Sequence, residues 1–304
     1  MATVVVCKPR AVDVRSRVGW AVFVALIALA GCASDKAQTS SSTTVPPTTS
    51  STTTTGPAEE GGSSSQTEST AAVAPSSSVA PPGATTDYDT AEGPVRLLCS
   101  GNGEVTVVLL AGGNDRPRVW DGLVDDLGPS ALVCRYDPSA MDAGITATSR
   151  AAALSDALAQ SGLPGPFVLV GHSLSGLVVR QFGATHPDQL GGAVLLDPTA
   201  ASFLVDADDA LADLGWDTTA LHVEADAAVT WPAVPLRVLA HDPTQLTLET
   251  QEREDEWTAA QQAYAALSPL GTYEAVAGSG HFVYLDAPDA VVAAIDAVVA
   301  GVSP

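Results

Sequence analysis

The sequence predicts an α/β fold for residues 87–304: a doubly wound, mostly parallel sheet with a small cap insertion. Three observations predict it. Short, uninterrupted apolar runs at 167–170 and 193–196 are typical of strands that are covered on both faces. Segments with apolar residues at helical spacing, such as 147–160, lie between such runs. The two kinds of segment alternate, which is the order expected for parallel strands joined by helices.

The individual elements follow in that order. Runs of apolar and β-branched residues predict strands at 95–99, 105–111, 131–136, 167–170, 193–196, 236–240 and 273–276. Helical periodicity predicts helices at 119–127, 147–160, 177–184 and 287–300. Residues 199–232 interrupt the alternation, and we expect them to form the cap. The 218 residues of this region are enough for one domain with a sizeable core.

The amino-terminal 31 residues have the pattern of a secretory signal peptide. Four basic residues lie within positions 1–17, and a 13-residue apolar stretch, 18–30, follows. That stretch is shorter than the roughly 20 residues that a membrane-spanning helix needs. Its end, Leu29-Ala30-Gly31-Cys32, resembles the lipobox of bacterial lipoproteins. This resemblance implies that Cys32 is lipidated and that the protein is held at the extracytoplasmic face of the cell membrane.

Residues 32–86 have the composition of a disordered tether. Ser, Thr, Pro, Ala and Gly dominate this segment, and large apolar side chains are almost absent. Such a segment buries too little surface to offset its ordering entropy. We therefore expect it to connect Cys32 to the folded domain.

Charge and cysteine content narrow the possible partners. The chain has 35 acidic against 13 basic residues, a net charge of −22, which argues against nucleic acid and against adhesion to anionic lipid. With Cys32 lipidated, Cys99 and Cys134 are the cysteines that remain after signal cleavage. The sequence is compatible with a disulfide between them and with two free thiols. The sequence has neither a metal-ligand cluster nor a dinucleotide-binding motif, and we expect no cofactor and no metal. The oligomeric state is not predicted.

Ser173 is the candidate nucleophile. The apolar run 167–170 leads into Gly171-His172-Ser173, and a helical segment follows. A sharp turn between a buried strand and a helix exposes a serine hydroxyl at the carboxyl end of the strand. A serine becomes nucleophilic only when a base takes its proton and a third group orients that base.

His281 is the candidate base. It lies in the glycine-framed loop Gly278-Ser279-Gly280-His281, after the last predicted strand and before the last helix. A loop at that point of a parallel sheet lies at the same edge as Ser173. The third member of a serine triad is usually an acid, and two aspartates qualify. Asp197 ends the strand at 193–196, and Asp242 follows the strand at 236–240. The rigid context before Pro198 favours Asp197.

These motifs together resemble those of the α/β-hydrolase superfamily over residues 93–302. The resemblance is carried by Val-Val-Leu-Leu-Ala-Gly-Gly (107–113), Arg-Tyr-Asp (135–137), Val-Gly-His-Ser-Leu-Ser-Gly (170–176), Leu-Leu-Asp-Pro (195–198) and Gly-Ser-Gly-His-Phe (278–282). In most members the acid follows the strand after the cap, which is the position of Asp242. In some, the acid ends the preceding strand, where Asp197 stands.

The resemblance also implies an oxyanion hole and a reaction. The backbone N–H groups of Leu174 and Gly113 are its expected donors, with Asn114 as the alternative to Gly113. Ser175 stands where most members have glycine, and Ala111 stands where they have histidine. The expected function is a membrane-anchored serine hydrolase that acts on a small ester-like substrate. The alternative is a non-catalytic surface lipoprotein on a degenerate hydrolase fold.

Overall fold

The computed structural model describes residues 85–302 except 114, 128–130, 139–140, 142–143, 245–247 and 249. The predicted signal peptide, Cys32 and the tether as far as residue 84 lie outside the described residues. Residues 85 and 86, which we assigned to the tether, belong instead to a strand that pairs with the sheet. The folded domain therefore includes these two residues.

The described residues form an eight-stranded sheet with helices on both faces, which confirms the predicted fold class. The strands are β1 (Thr85–Thr90), β2 (Gly93–Gly101), β3 (Thr106–Leu110), β4 (Leu132–Asp137), β5 (Phe167–His172), β6 (Leu190–Leu196), β7 (Leu236–Ala240) and β8 (Gly271–Ala275). Their order across the sheet is β1-β2-β4-β3-β5-β6-β7-β8. β1, β2 and β4 pair antiparallel, and all remaining neighbours pair parallel.

The helices are α1 (Asp121–Leu127), α2 (Ala147–Ser161), α3 (Ser175–Thr185), α4 (Ala201–Leu204), α5 (Asp208–Asp213), α6 (Thr218–Asp226), α7 (Gln251–Ala265), α8 (Val283–Asp286) and α9 (Pro288–Val299). The ends of α2 show why it forms there. Thr146 caps its first turn through a reciprocal bond with Ser149, and Gly162 ends it in the left-handed conformation. None of the described helices is both long and apolar enough to cross a membrane.

Alternate side chains of the central strands pack into two separate hydrophobic cores, one on each face of the sheet. On β5, Leu169 packs with α2 and α3 on one face, whereas Val168 and Val170 pack with α1 and α9 on the other. This is why β5 and β6 read as continuous apolar runs: every residue in them is buried.

The predicted insertion is present between β6 and β7 as the helices α4, α5 and α6. Its Glu224 carboxylate accepts hydrogen bonds from the backbone N–H of Ala147 and Thr148, at 2.8 and 3.1 Å. The insertion thereby caps the amino terminus of α2, where an anionic group is favoured by the helix dipole.

Cys99 and Cys134 are joined by a disulfide. The two residues face each other in the antiparallel pair of β2 and β4. Of the two states that the sequence left open, the structure has the bonded one.

Candidate active site

Ser173 lies at the turn between β5 and α3, with a positive φ of 53°. A non-glycine residue adopts this conformation only where its surroundings enforce it. Here the Ser173 N–H donates to the Leu196 carbonyl at 3.0 Å, and the Ser173 carbonyl accepts from the Thr199 N–H at 3.1 Å. A Cβ on Gly171 would lie 2.8 Å from the Ser175 carbonyl oxygen, so a glycine is needed to let the turn close.

His281 is brought to Ser173 across 108 residues of sequence. Its Nε2 lies 3.0 Å from the Ser173 Oγ, and its Nδ1 lies 2.7 Å from Oδ2 of Asp197. Because the ionised carboxylate can only accept, Nδ1 carries the proton and the Nε2 lone pair faces the serine hydroxyl. This is the arrangement in which an imidazole can remove the hydroxyl proton.

Asp197 is fully buried and directly follows β6, with a positive φ of 44°. Besides His281, it accepts hydrogen bonds from Nδ1 of His241 at 3.0 Å and from the indole N–H of Trp257 at 2.9 Å. Burial alone would raise the pKa of the Asp197 carboxyl, but the hydrogen bonds from His241 and His281 outweigh burial and hold that pKa below its usual range. The carboxylate is therefore ionised beside His281.

Asp242, the other candidate acid, is bound to different groups. Its Oδ2 accepts from the Gly278 N–H at 2.8 Å, and its Oδ1 accepts from the N–H and hydroxyl of Thr244 at 2.9 and 2.7 Å. These bonds, that from Gly278 first, lower the pKa of the Asp242 carboxyl. Its backbone N–H also donates to the Ser279 carbonyl at 2.9 Å. Asp242 thus braces the loop that carries His281 without bonding to the imidazole.

The loop after β3 lies directly against the serine turn. A Cβ on Gly112 would lie 2.6 Å from Nδ1 of His172 and 2.9 Å from Cβ of Ser173. Gly113 follows with a φ of 46°, and Leu174 stands at the amino terminus of α3. These are the two residues that we expected to supply oxyanion donors; the alternative, Asn114, is outside the described residues.

Ser175 explains one departure from the family pattern. Its hydroxyl donates to the Ala111 carbonyl at 2.5 Å, which links the start of α3 to the loop after β3. A glycine at this position could not make that bond. The serine therefore fits the turn and also fixes the loop that holds Gly112 and Gly113.

His172 packs behind the site. Its Nε2–H donates to the His281 carbonyl at 3.0 Å, and its ring lies 4.7 Å from the ring of His281 and 5.0 Å from that of Tyr284. Burial, with a smaller contribution from the charge of His281, lowers the pKa of His172 to about 3. A neutral His172 supports the backbone of His281 without adding charge to the site.

Sequence reasoning missed several residues that contact this group. The Thr199 hydroxyl lies 3.4 Å from the Ser173 Oγ. His241 and Trp257 both bond to Asp197. The position of His241 at the end of a strand, next to those of Ser173 and Asp197, was the one available signal. Trp257 lies on α7, which we did not predict.

Among the described residues, no group of three or more His, Cys, Asp and Glu could hold a metal ion.

Comparison with known proteins identifies relatives of this chain. A model described as the Alpha/beta hydrolase family matches residues 107–294, more than half of the chain. Lipase LipV of Mycobacterium tuberculosis (strain ATCC 25618 / H37Rv) is 34% identical over 111 residues, which are 33% of this chain and 40% of the lipase. The aligned part thus spans less than half the length of that curated relative.

Solved esterase structures share the fold. An esterase from Rhodococcus sp. ECU1013 has a TM-score of 0.54 at 17% identity, over 72% of this chain and 99% of the esterase. A thermophilic esterase from Thermogutta terrifontis has a TM-score of 0.53 at 16% identity, over 71% of this chain and 98% of the esterase. At this level of identity the likeness is one of fold.

Proposed function

The chain belongs to the alpha/beta hydrolase family, and from this premise we propose that it is a serine hydrolase that cleaves carboxylic esters through an acyl-enzyme. One observation carries the proposal. A buried imidazole joins a serine hydroxyl, 3.0 Å away, to an ionised aspartate, 2.7 Å away. The relatives support the choice of ester, because they are named as a lipase and as esterases.

The proposed reaction has two halves. In the first, Ser173 Oγ bonds to the ester carbonyl carbon while His281 Nε2 takes the hydroxyl proton. The backbone N–H groups of Leu174 and Gly113 stabilise the negative charge that develops on the carbonyl oxygen. The carbon–oxygen bond to the alcohol then breaks, and His281 gives the proton to the departing oxygen. In the second half, a water oxygen bonds to the acyl carbon while His281 Nε2 takes a proton from that water. The bond from the acyl carbon to Ser173 Oγ then breaks, His281 returns the proton to Oγ, and the carboxylic acid leaves.

Asp197 orients the base in this scheme. Its carboxylate holds the proton on Nδ1, so that Nε2 always faces the hydroxyl, and it stabilises the imidazolium that forms during attack. The other bonds to Asp197, from His241 and Trp257, keep it from turning away.

A substrate panel tests the proposal. Purified protein is assayed with p-nitrophenyl esters of increasing acyl length and with a thioester, a lactone and an amide. We expect the esters to be hydrolysed fastest and Ser173→Ala to lose that activity. A wild-type protein that hydrolyses none of them, or a Ser173→Ala variant as active as the wild type, would favour the degenerate, non-catalytic alternative.

We also propose that the enzyme is anchored to the extracytoplasmic face of the membrane through a lipid on Cys32. The support is the sequence Leu29-Ala30-Gly31-Cys32 after a basic and an apolar segment. Cys32→Ser should release the protein from the membrane fraction and leave its esterase activity intact. An unchanged membrane fraction would contradict the anchor.

A further inference from the structure

A second histidine–carboxylate pair continues the hydrogen-bond chain beyond Asp197. His241 follows β7, and its Nδ1 lies 3.0 Å from Oδ1 of Asp197. Its other ring nitrogen, Nε2, lies 3.2 Å from Oε2 of Glu254 on α7. The remaining oxygen of Glu254 accepts the Leu248 N–H at 2.7 Å. His241 is only 3% exposed and Glu254 only 5%, so water does not separate these groups.

The geometry requires one proton between Nε2 of His241 and Glu254, in addition to the proton on Nδ1. A neutral imidazole has one N–H and one lone pair. If His241 were neutral, its lone pair would face an oxygen of Asp197 or of Glu254, and two acceptors would oppose each other in a buried site unless Glu254 took the proton. Burial alone would lower the pKa of His241, but its bonds to Asp197 and Glu254 outweigh burial and raise that pKa.

Four titratable groups surround His241. Asp197 faces it from the end of β6 and Glu254 from α7. Asp242, the next residue in the chain, acts on it at longer range. His281, in the loop after β8, shares the Asp197 carboxylate. With its extra proton, the His241–Glu254 pair has no net charge, and Asp197 carries the negative charge that faces His281.

We propose that His241 and Glu254 are positioning residues that fix the Asp197 carboxylate and set the lowest pH at which His281 can act as the base. The proposal rests on the function proposed above. A cation on the far side of Asp197 weakens the pull of that carboxylate on a proton at His281. The acid limb of the pH profile of kcat/KM, which reports the protonation of the essential base, then lies at a lower pH than it would with Asp197 alone.

Glu254→Gln tests the proposal with little change in shape. The new amide oxygen can accept the Leu248 N–H, and the new amide N–H can donate to Nε2 of a neutral His241. His241 still donates to Asp197 but carries no charge. We expect the acid limb of the pH profile of kcat/KM to move upward, by less than the roughly one unit that a single neighbouring charge causes, because the cation next to Asp197 is lost together with the more distant charge of Glu254.

The direction of that shift is decisive. Loss of the Glu254 charge alone would leave the positive charge of His241 uncompensated and move the limb to lower pH. An upward shift therefore requires that His241 lost its proton along with Glu254. An unmoved limb, or a downward one, would overturn the proposal.

Asp208→Asn is the matched control. It neutralises the carboxylate of a separate histidine–carboxylate pair, His222–Asp208, in which Nε2 lies 2.8 Å from Oδ1. That pair is partly exposed and does not contact Asp197. The acid limb should stay in place in this variant, and an equal upward shift would show that the effect is not specific to His241.

An independent measurement needs neither a variant nor catalysis. Nitrogen-15 NMR of the wild-type imidazoles is recorded at pH 7.5, where an ordinary histidine with a pKa of about 6.5 is mostly neutral. It should show both nitrogens of His241 protonated. One protonated nitrogen would overturn the proposal, whatever the activity. A protein with both nitrogens protonated but no activity toward any ester would contradict the proposed function and leave the paired proton in place.

Discussion

Two non-glycine residues with positive φ, Ser173 and Asp197, stand at the ends of neighbouring strands. Such conformations cost on the order of 1–3 kcal/mol each and persist only where contacts enforce them. Each turn is held by a backbone bond to the following strand: the Ser173 N–H donates to the Leu196 carbonyl of β6, and the Asp197 N–H donates to the Leu239 carbonyl of β7 at 2.8 Å. Each strained turn is thus held by the next strand along the sheet, which places the two side chains on either side of His281.

The first prediction compares the two candidate acids. Asp197→Asn removes the charge that stabilises the imidazolium and allows the wrong nitrogen of His281 to be protonated. We expect kcat for a p-nitrophenyl ester to fall by roughly 10⁴, the scale known for this change in a serine triad. Asp242→Asn should be much milder, because its contacts are to the loop backbone. A larger loss in Asp242→Asn than in Asp197→Asn would contradict the assignment.

The sequence alone does not decide which of these two aspartates is bound to His281. Both follow apolar strands, and parallel strands bring both to one edge of the sheet. What separates them is the left-handed turn at Asp197 and the hydrogen bonds that converge on it from His241 and Trp257. No local pattern encodes a positive φ at an aspartate before proline, and the partners are 44 and 60 residues away.

At the scale of elements, α7 supports the residues around the acid. The buried side of this helix bonds to three consecutive positions: Trp257 to Asp197, Gln261 to the Pro198 carbonyl at 2.8 Å, and the Tyr264 hydroxyl to the Thr199 carbonyl at 2.8 Å. Spacings of four and three residues put the three side chains on one face of the helix. The helix therefore holds the turn that carries Asp197.

Sequence periodicity did not reveal α7 because its buried face is largely polar or aromatic. Glu254 and Gln261 lie inside, where an amphipathic helix would have aliphatic residues. The edge strand β1 was missed for a similar reason: its sequence, Thr-Thr-Asp-Tyr-Asp-Thr, buries only Tyr88. The central strands were predicted because burial on both faces leaves a plain apolar signal.

The second prediction tests the support from α7. Gln261→Leu combined with Tyr264→Phe leaves two carbonyls of the turn without their donors. We expect the free energy of unfolding to fall by about 1–3 kcal/mol for each unsatisfied group. We also expect kcat to fall, because Asp197 is less firmly held. Chemical denaturation and ester kinetics measure the two effects.

Gln262→Ala on the exposed side of the same helix is the control for this pair. It keeps the helix and touches none of the three bonds, so stability and kcat should stay close to those of the wild type. Equal losses in both variants would mean that α7 acts through its own stability and not through the turn at 197–199.

At the scale of the whole molecule, the parallel half of the sheet gathers the site at one edge. Ser173, Asp197 and His241 directly follow β5, β6 and β7, and Gly112 follows β3 by two residues. The loop after β8 supplies His281. Ligand sites of open α/β sheets lie outside the carboxyl ends of the strands. The antiparallel strands β1 and β2 contribute none of these groups, which separates structural support from chemistry.

The third prediction concerns that antiparallel half. The Cys99–Cys134 disulfide closes a sequence separation of 35 residues between β2 and β4. Replacing both cysteines with alanine should lower the free energy of unfolding by about 2–4 kcal/mol. Since two strands, β4 and β3, lie between β2 and β5, kcat should be unchanged. A large loss of kcat in a folded double variant would contradict this separation of roles.

A fluorophosphonate probe tests whether Ser173 is a nucleophile activated by His281. The probe is incubated with wild type, Ser173→Ala, His281→Ala and heat-unfolded protein, and adducts are located by mass spectrometry of peptides. We expect a single adduct on Ser173 in the wild type, none in Ser173→Ala or unfolded protein, and much slower labelling in His281→Ala. A folded wild-type protein that takes no label, or that carries it on another residue, would show that Ser173 is not the activated nucleophile.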